Sequence, residues 1–255
     1  PDAERLQSMV ERQADLIAND QGVVWDGYAR VLAQVVMPFL QQARRLAWSE
    51  TDEGGPVAAE MDCALWLESW PAAPILRFRA DRIDVHAGQL VMTDYKTSRQ
   101  GVSSAKTQRT RDKHLLAEIG KGRLLQAAAY AMASGDRGDL GRYLFVRPDF
   151  TGPEGSRIVA VRASDRETRA AFERAVSTLL RSWHSGIFFP RLVDADRDSE
   201  PRACQYCAVA EACLRGDSGA RGRLRDWPAS QVDPTEVEAA FLDSWTLGSS
   251  EETAR

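Results

Sequence analysis

The chain has 255 residues, of which 44% are hydrophobic, and a formal net charge of -4. That content suffices for one large core with small appendages, and the balance excludes a protein coated in positive charge. No apolar run approaches the roughly 20 residues that cross a bilayer, and no signal peptide is present, so a cytoplasmic protein without a membrane partner is expected. The first residue is Pro1 rather than methionine, which reads as a piece of a longer protein.

In chain order, residues Asp2 to about Ser49 read mostly as helix, with Val31, Leu32, Val35, Val36, Phe39 and Leu40 at helical spacing. Pro38 is expected to kink or interrupt that run. An acidic, Gly-rich break follows at Thr51–Pro56. Val57–Trp70 reads as a strand in which Met61, Cys63, Leu65 and Leu67 alternate with other residues. After a turn at Pro71–Pro74 come strands over Ile75–Val85 and Gln89–Tyr95, reversed at Ala87-Gly88. Arg99 to about Lys113 is polar and reads as a loop. A helix is expected over Leu115–Ala133, broken by Ser134-Gly135, then strands over Leu140–Val146 and Arg157–Val161. Ser164–Ser185 reads as a helix, with Ser164 as N-cap, Glu167 closing a capping box and Gly186 at its end. Beyond Pro190 the chain is loop-rich, and Val237–Trp245 reads as a short helix in a Gly/Ser/Arg-rich, then acidic tail. Helix, three strands, helix, two strands, helix implies an α/β fold with a central mixed sheet flanked by helices.

The chemistry concentrates between Leu76 and Ser98, LRFRADRIDVHAGQLVMTDYKTS. A short hairpin makes Asp81 and Asp94 neighbours, two hard oxygen donors for a divalent cation. The backbone carbonyl of Tyr95 is a further candidate donor, and Glu60, on the preceding strand, is another. Lys96 lies two residues after Asp94 and so on the same strand face, where its ammonium can hold a water or offset charge on a phosphate. The bland alternative is two surface aspartates and a rim lysine. From Lys96 to Arg123 the cations Arg99, Lys106, Arg109, Arg111, Lys113, Lys121 and Arg123 outnumber Asp112 and Glu118. That stretch is either a solvated loop or a phosphate-backbone contact. Trp25, Trp48, Trp66, Trp70, Trp183 and Trp227 read as core and edge packing rather than a base-stacking platform.

ADRID, a turn and then TDYKTS resemble the RecB-type branch of the PD-(D/E)XK nuclease superfamily. One strand there carries G-x-x-D-R-I-D and the next D-Y-K-T/S, and a later helix carries Q-x-x-x-Y, matched here by Gln126 and Tyr130 in RLLQAAAYAMA. The resemblance covers roughly Val57 to Cys213. It implies a restriction-endonuclease-like core with Asp81, Asp94 and Lys96 catalytic, Gln126 and Tyr130 orienting the site or the DNA strand, and Mg2+ or Mn2+ as cofactor. It departs from the pattern at Phe78, where the motif has glycine. None of His86, His114 and His184 lies in the N-terminal helical region, where many relatives place a metal-ligating histidine.

Cys204, Cys207 and Cys213 form C-x2-C-x5-C, while the rest of the chain holds only Cys63. Three close thiolates in a cytoplasmic protein suit zinc or an iron–sulfur cluster better than disulfides. The spacing is similar to that of AddB-type subunits and CRISPR-associated nucleases, which implies a 4Fe–4S cluster, zinc being the alternative. Its fourth ligand would be Cys63 or a cysteine N-terminal to Pro1, and Cys63 itself is expected on a core-facing strand.

The expected organisation is an N-terminal helical part (1–56), a nuclease core (57–190), a loop-rich cysteine segment (191–216) and a partly disordered tail (217–255). The resemblance implies a Mg2+-dependent DNA exonuclease acting on single strands or duplex ends, in recombinational double-strand-break repair beside a helicase subunit or a fused helicase-like region. The alternatives are a non-catalytic DNA-binding module that keeps the fold, or a CRISPR-associated spacer-processing nuclease.

Overall fold

The computed structural model describes residues 3–25, 27–48, 54–68, 70, 73–102, 107–133, 139–189, 192 and 202–247. The chain divides into two compact units, Pro1–Leu115 with Gln126–Asp165, and Leu116–Leu125 with Arg166–Arg255. Lys106, the Ser134-Gly135 break, and parts of the expected turns at Thr51–Pro56 and Pro71–Pro74 lie outside the described residues.

The first unit opens with α1 (Ala3–Asp20) and α2 (Tyr28–Ala47). The single long helix expected here is thus two. The break falls before Tyr28, where Gly27 at φ 82 precedes α2, and not at Pro38, which sits inside an uninterrupted α2. Pro38 lacks an N–H, which is the loss of one ladder bond rather than a stop signal when packing holds the helix on both sides.

The central sheet has five strands in the order β1-β2-β3-β4-β5. They are β1 (Gly54–Trp66), β2 (Ile75–His86), β3 (Gln89–Lys96), β4 (Leu140–Phe145) and β5 (Ile158–Arg162). The first three pair antiparallel, β3 and β4 are parallel, and β4 and β5 are antiparallel, so the sheet is mixed as expected. His86 pairs with Gln89 across a two-residue turn in which Ala87 and Gly88 both have positive φ, at 49 and 79. Those are the dihedrals of a type I′ hairpin, whose twist matches that of its strands.

Two features of the sheet place the site. First, Ala58, Ile83 and Met92 share one apolar cluster with Cys63, Phe78 and Ala80. Residues an odd number apart in a strand normally face opposite sides, yet Ile83 and Ala80, and Ala58 and Cys63, face the same side. The β1–β2 register shifts between Pro56 and Ala58, and the backbone is also irregular at Glu60 (φ 50), between the Ala59↔Arg82 and Met61↔Ala80 pairs, where the register itself is unchanged. Second, the β2–β3 ladder runs from His86↔Gln89 to Arg82↔Thr93 and stops, while β3 continues beside β4 to Lys96↔Phe145. The strands part at Asp81.

The crossover between β3 and β4 contains α3 (Gln108–Gly120) and α4 (Leu125–Ala133) in place of the expected loop to Lys113 and one helix to Ala133. Within α4, Ala127 to Met132 are buried. Gly141 on β4 allows the close approach: a Cβ there would fall 1.9 Å from the Ala127 carbonyl oxygen.

In the second unit, α5 (Arg166–His184) begins two residues later than expected, which puts Asp165 rather than Ser164 immediately before it. The tail also holds more helix than expected, α6 (Ser218–Ser230) and α7 (Glu236–Thr246), the latter closed by a Thr235–Glu238 capping box. Phe189, Phe241, Trp227 and Trp245 form an aromatic cluster here. Of the tryptophans assigned to packing, Trp25 (76%), Trp48 (51%), Trp66 (60%) and Trp183 (67%) are exposed; sequence spacing carries no signal for that. No helix among the described residues is long and apolar enough to cross a membrane.

Candidate functional site

Where β2 and β3 part, the Asp81 carboxylate occupies the gap and accepts the Tyr95 backbone N–H at 2.7 Å. The side chain thereby replaces a ladder acceptor and is fixed beside the next strand. Asp94, only 5% exposed, follows on β3. Its Oδ2 lies 2.7 Å from Lys96 Nζ, as the two-residue spacing requires. Lys96 Nζ also donates to Gln126 Oε1 at 2.8 Å, at the start of α4, and stands 5.3 Å from the centre of the Tyr143 ring. Gln126 contacts Asp94 as well, so the amide spans the ion pair.

Burial pushes the Asp94 carboxyl above its ordinary value, the Lys96 ammonium pulls it back, the Asp81 charge raises it, and Gln126 lowers it. The net direction is upward. A carboxylate held in poor solvent beside a like charge is one that gains from a cation. Burial and the charges of Asp94 and Asp81 also raise the Tyr130 hydroxyl. Tyr130 is fully buried, packs its ring on Phe78 at 5.1 Å, and donates to the Arg79 carbonyl at 2.7 Å. It therefore holds β2 two residues before Asp81. Gln126 and Tyr130 share a helix face, and one reaches Lys96 while the other reaches the strand.

The remaining candidates are placed as follows. Glu60 is exposed, and its carboxylate pairs with Arg79 at 3.1 Å. Among the described residues no group of three or more His, Cys, Asp and Glu converges to hold a metal, and Asp81 and Asp94 stand as a pair of interacting like charges. Cys63 packs with Phe78 and Tyr130, and burial followed by the charge of Asp62 raises its thiol. Cys204, Cys207 and Cys213 lie in consecutive short turns with Cys207 N–H donating to the Cys204 carbonyl, and among the described residues none of the three is in a disulfide. Arg99 pairs with Asp149 at 3.2 Å. Arg109 and Lys113 are exposed on α3, and Arg111 donates to Gln108. Arg123, in the second unit, lies 3.5 Å from Glu118.

Several residues of this region carried no assignment from sequence. Tyr143, whose hydroxyl accepts the Ala127 N–H at 3.1 Å, braces α4 beneath Lys96. Only the parallel register Asp94↔Tyr143 reveals it. Arg82 and Asp84 stand in the ADRID string itself, and the period-two alternation could have put them on the opposite face. Their partner Arg142 has no local signal.

Compared with known proteins, the chain matches the family model of the PD-(D/E)XK nuclease superfamily over residues 1–214. A search of curated proteins returned no match.

Proposed function

The chain belongs to the PD-(D/E)XK nuclease superfamily, and from that premise we propose that it is a divalent-metal-dependent DNA nuclease of RecB/AddB type, acting as an exonuclease on single strands or duplex ends beside a helicase. The observation that carries the catalytic part is the buried Asp94 carboxylate, 2.7 Å from Lys96 and raised by burial and by Asp81.

The residues fit the cation that the superfamily uses. Asp81, Asp94 and the Tyr95 carbonyl offer hard oxygens suited to Mg2+ or Mn2+, and Asp94 is a buried acid whose ionised form needs a counter-charge. Bound there, the ion supplies Lewis acidity and a more acidic water. Asp81 and Asp94 hold and orient it. Lys96, steered by the Gln126 oxygen at 2.8 Å, stabilises negative charge on the phosphate or holds the attacking water. Tyr130 fixes β2 through the Arg79 carbonyl. The exposed Arg109 and Lys113 of α3, with Arg99, Lys106, Arg111 and Arg123 along the same basic stretch, supply phosphate contacts. The recombinational-repair setting and the helicase partner rest on the likeness of ADRID, DYKTS and Q-x-x-x-Y to the RecB-type branch.

For a 4Fe–4S cluster or zinc, the three cysteines do not form a ligand group among the described residues. That role rests on their spacing alone, and no step is assigned to it. A visible absorption band from anaerobically purified protein supports the cluster; a colourless, zinc-containing preparation refutes it.

The test of the activity is Mg2+-dependent cleavage of end-labelled DNA by the wild type, Asp94→Ala and Lys96→Ala. Loss of cutting in both variants is expected, and equal cutting by all three refutes the assignment. A second reading, a DNA-binding module without catalysis, is favoured by the pairing of Glu60 with Arg79, which leaves two acids at the site. It predicts DNA binding that survives Asp94→Ala and no metal-dependent cutting by the wild type.

A further inference from the structure

The face of β2–β4 opposite Lys96 and Asp94 carries buried charges that the proposed chemistry does not use. Arg82 is 5% exposed and Asp84 is fully buried. Arg82 Nε donates to Asp84 Oδ1 at 2.9 Å, and a second guanidinium nitrogen reaches the same oxygen at 2.5 Å. The Trp48 ring covers this guanidinium, 3.7 Å from its centroid. Arg142 lies 3.7 Å from the other Asp84 oxygen and donates to Thr93 Oγ1 at 2.8 Å. Arg82 also interacts with the Tyr95 hydroxyl.

Two guanidinium groups around one fully buried carboxylate are a poor device for stability, because desolvation offsets most of the attraction and an apolar replacement is often neutral or better. What such a network does supply is fixed geometry. Here its outer ends are Thr93 and Tyr95, the two residues that bracket Asp94. Tyr95 is also the residue whose N–H is held by Asp81 and whose carbonyl is a candidate ligand.

We propose that Asp84, with Arg82 and Arg142, is a positioning residue for the divalent-cation site, gripping Thr93 and Tyr95 from behind the sheet so that the Asp94 carboxylate and the Tyr95 carbonyl stay fixed against Asp81. This rests on the reading of Asp81 and Asp94 as cation ligands. Outer partners of metal ligands commonly act this way, and their loss costs about 10–100-fold in metal affinity.

The test uses the full chain. Asp84→Asn strands two buried cations and is expected to impair folding, so Tyr95→Phe and Thr93→Val, which each remove one hydroxyl, carry the experiment, with Thr93→Ser as the conservative control. Two quantities are read in folded protein: amide exchange at Tyr95 without metal, by NMR, and the Mn2+ dissociation constant, by calorimetry. Faster exchange at Tyr95 than at other core amides, with Mn2+ binding weakened about tenfold in Tyr95→Phe and Thr93→Val and restored in Thr93→Ser, supports the proposal. Unchanged exchange overturns it. So does altered exchange with unchanged Mn2+ affinity, provided Asp94→Asn abolishes that affinity. If exchange changes but the wild type and Asp94→Asn bind Mn2+ alike, the bracing of β3 stands and the cation reading of Asp81 and Asp94 fails.

Discussion

Replacing Gly141 by alanine tests whether the close packing of α4 on β4 positions the site. The added Cβ would meet the Ala127 carbonyl oxygen at 1.9 Å, its carbon at 2.8 Å and Tyr130 Cβ at 2.9 Å. All three are atoms of one helix, two of them backbone, so no flexible side chain can swing aside. Ordinary contact begins near 3.4 Å, so helix and strand must separate by about 1.5 Å. That displacement carries the Tyr130–Arg79 bond, now 2.7 Å, and the Ala127–Tyr143 bond, now 3.1 Å, beyond 4 Å, outside hydrogen-bonding range. Overpacking costs about 1–3 kcal/mol, and two lost buried hydrogen bonds cost about 1 kcal/mol each. The expected destabilisation is therefore about 3–5 kcal/mol, read from urea unfolding. Gln126 moves with α4 and releases Lys96, and a misplacement of about 1 Å lowers a catalysed rate about 100-fold. Tyr143→Phe removes only the brace beneath α4 and should cost about 1 kcal/mol, which keeps the argument testable if Gly141→Ala does not fold. A Gly141→Ala protein with wild-type unfolding and wild-type cleavage would refute the reasoning.

Three further outcomes are expected. Because burial and Asp81 raise the Asp94 carboxyl above its ordinary 3.8, its contribution to stability is present below that value and is lost as pH rises through the raised one. In metal-free buffer Asp94→Asn should therefore gain on the wild type as pH climbs out of the acid range; urea titrations in which the wild type gains instead contradict the assigned environment. Tyr130→Phe should cost about 1 kcal/mol through the unmet Arg79 carbonyl and lower cleavage more than it lowers DNA affinity; a larger effect on affinity would place the hydroxyl at the DNA. Lys113→Ala on α3 should weaken DNA binding alike for all sequences and reduce the salt slope by about one, and an unchanged slope removes Lys113 from the interface.

Much of the sheet follows from local rules. Ala87-Gly88 between alternating apolar runs dictates the hairpin, the hairpin makes Asp81 and Asp94 neighbours, and a spacing of two puts Lys96 within 2.7 Å of Asp94. These are consequences of strand periodicity and need nothing distant in the chain. The start of α3 at Gln108 was not legible, because its apolar residues Leu115, Leu116 and Ile119 crowd its second half and leave the first turns polar all round. Nor was the break before Tyr28, where Pro38 gave the stronger local signal but packing kept α2 whole.

What the sequence alone determined is thus the identity and order of the chemical groups: two aspartates and a lysine on a hairpin, a glutamine and a tyrosine one helical turn apart. The tertiary structure decided how they are held. The parting of β2 from β3 aims Asp81 at the Tyr95 N–H, Gly141 sets the depth of α4, and Tyr143, Arg142 and Trp48 arrive from elements far along the chain to brace Lys96, Thr93 and Arg82. The reason is physical. Periodicity fixes which side chains share a face within one element, whereas contacts between elements depend on the register of the parallel β3–β4 pair and on helix-to-sheet distance, and no local spacing encodes either.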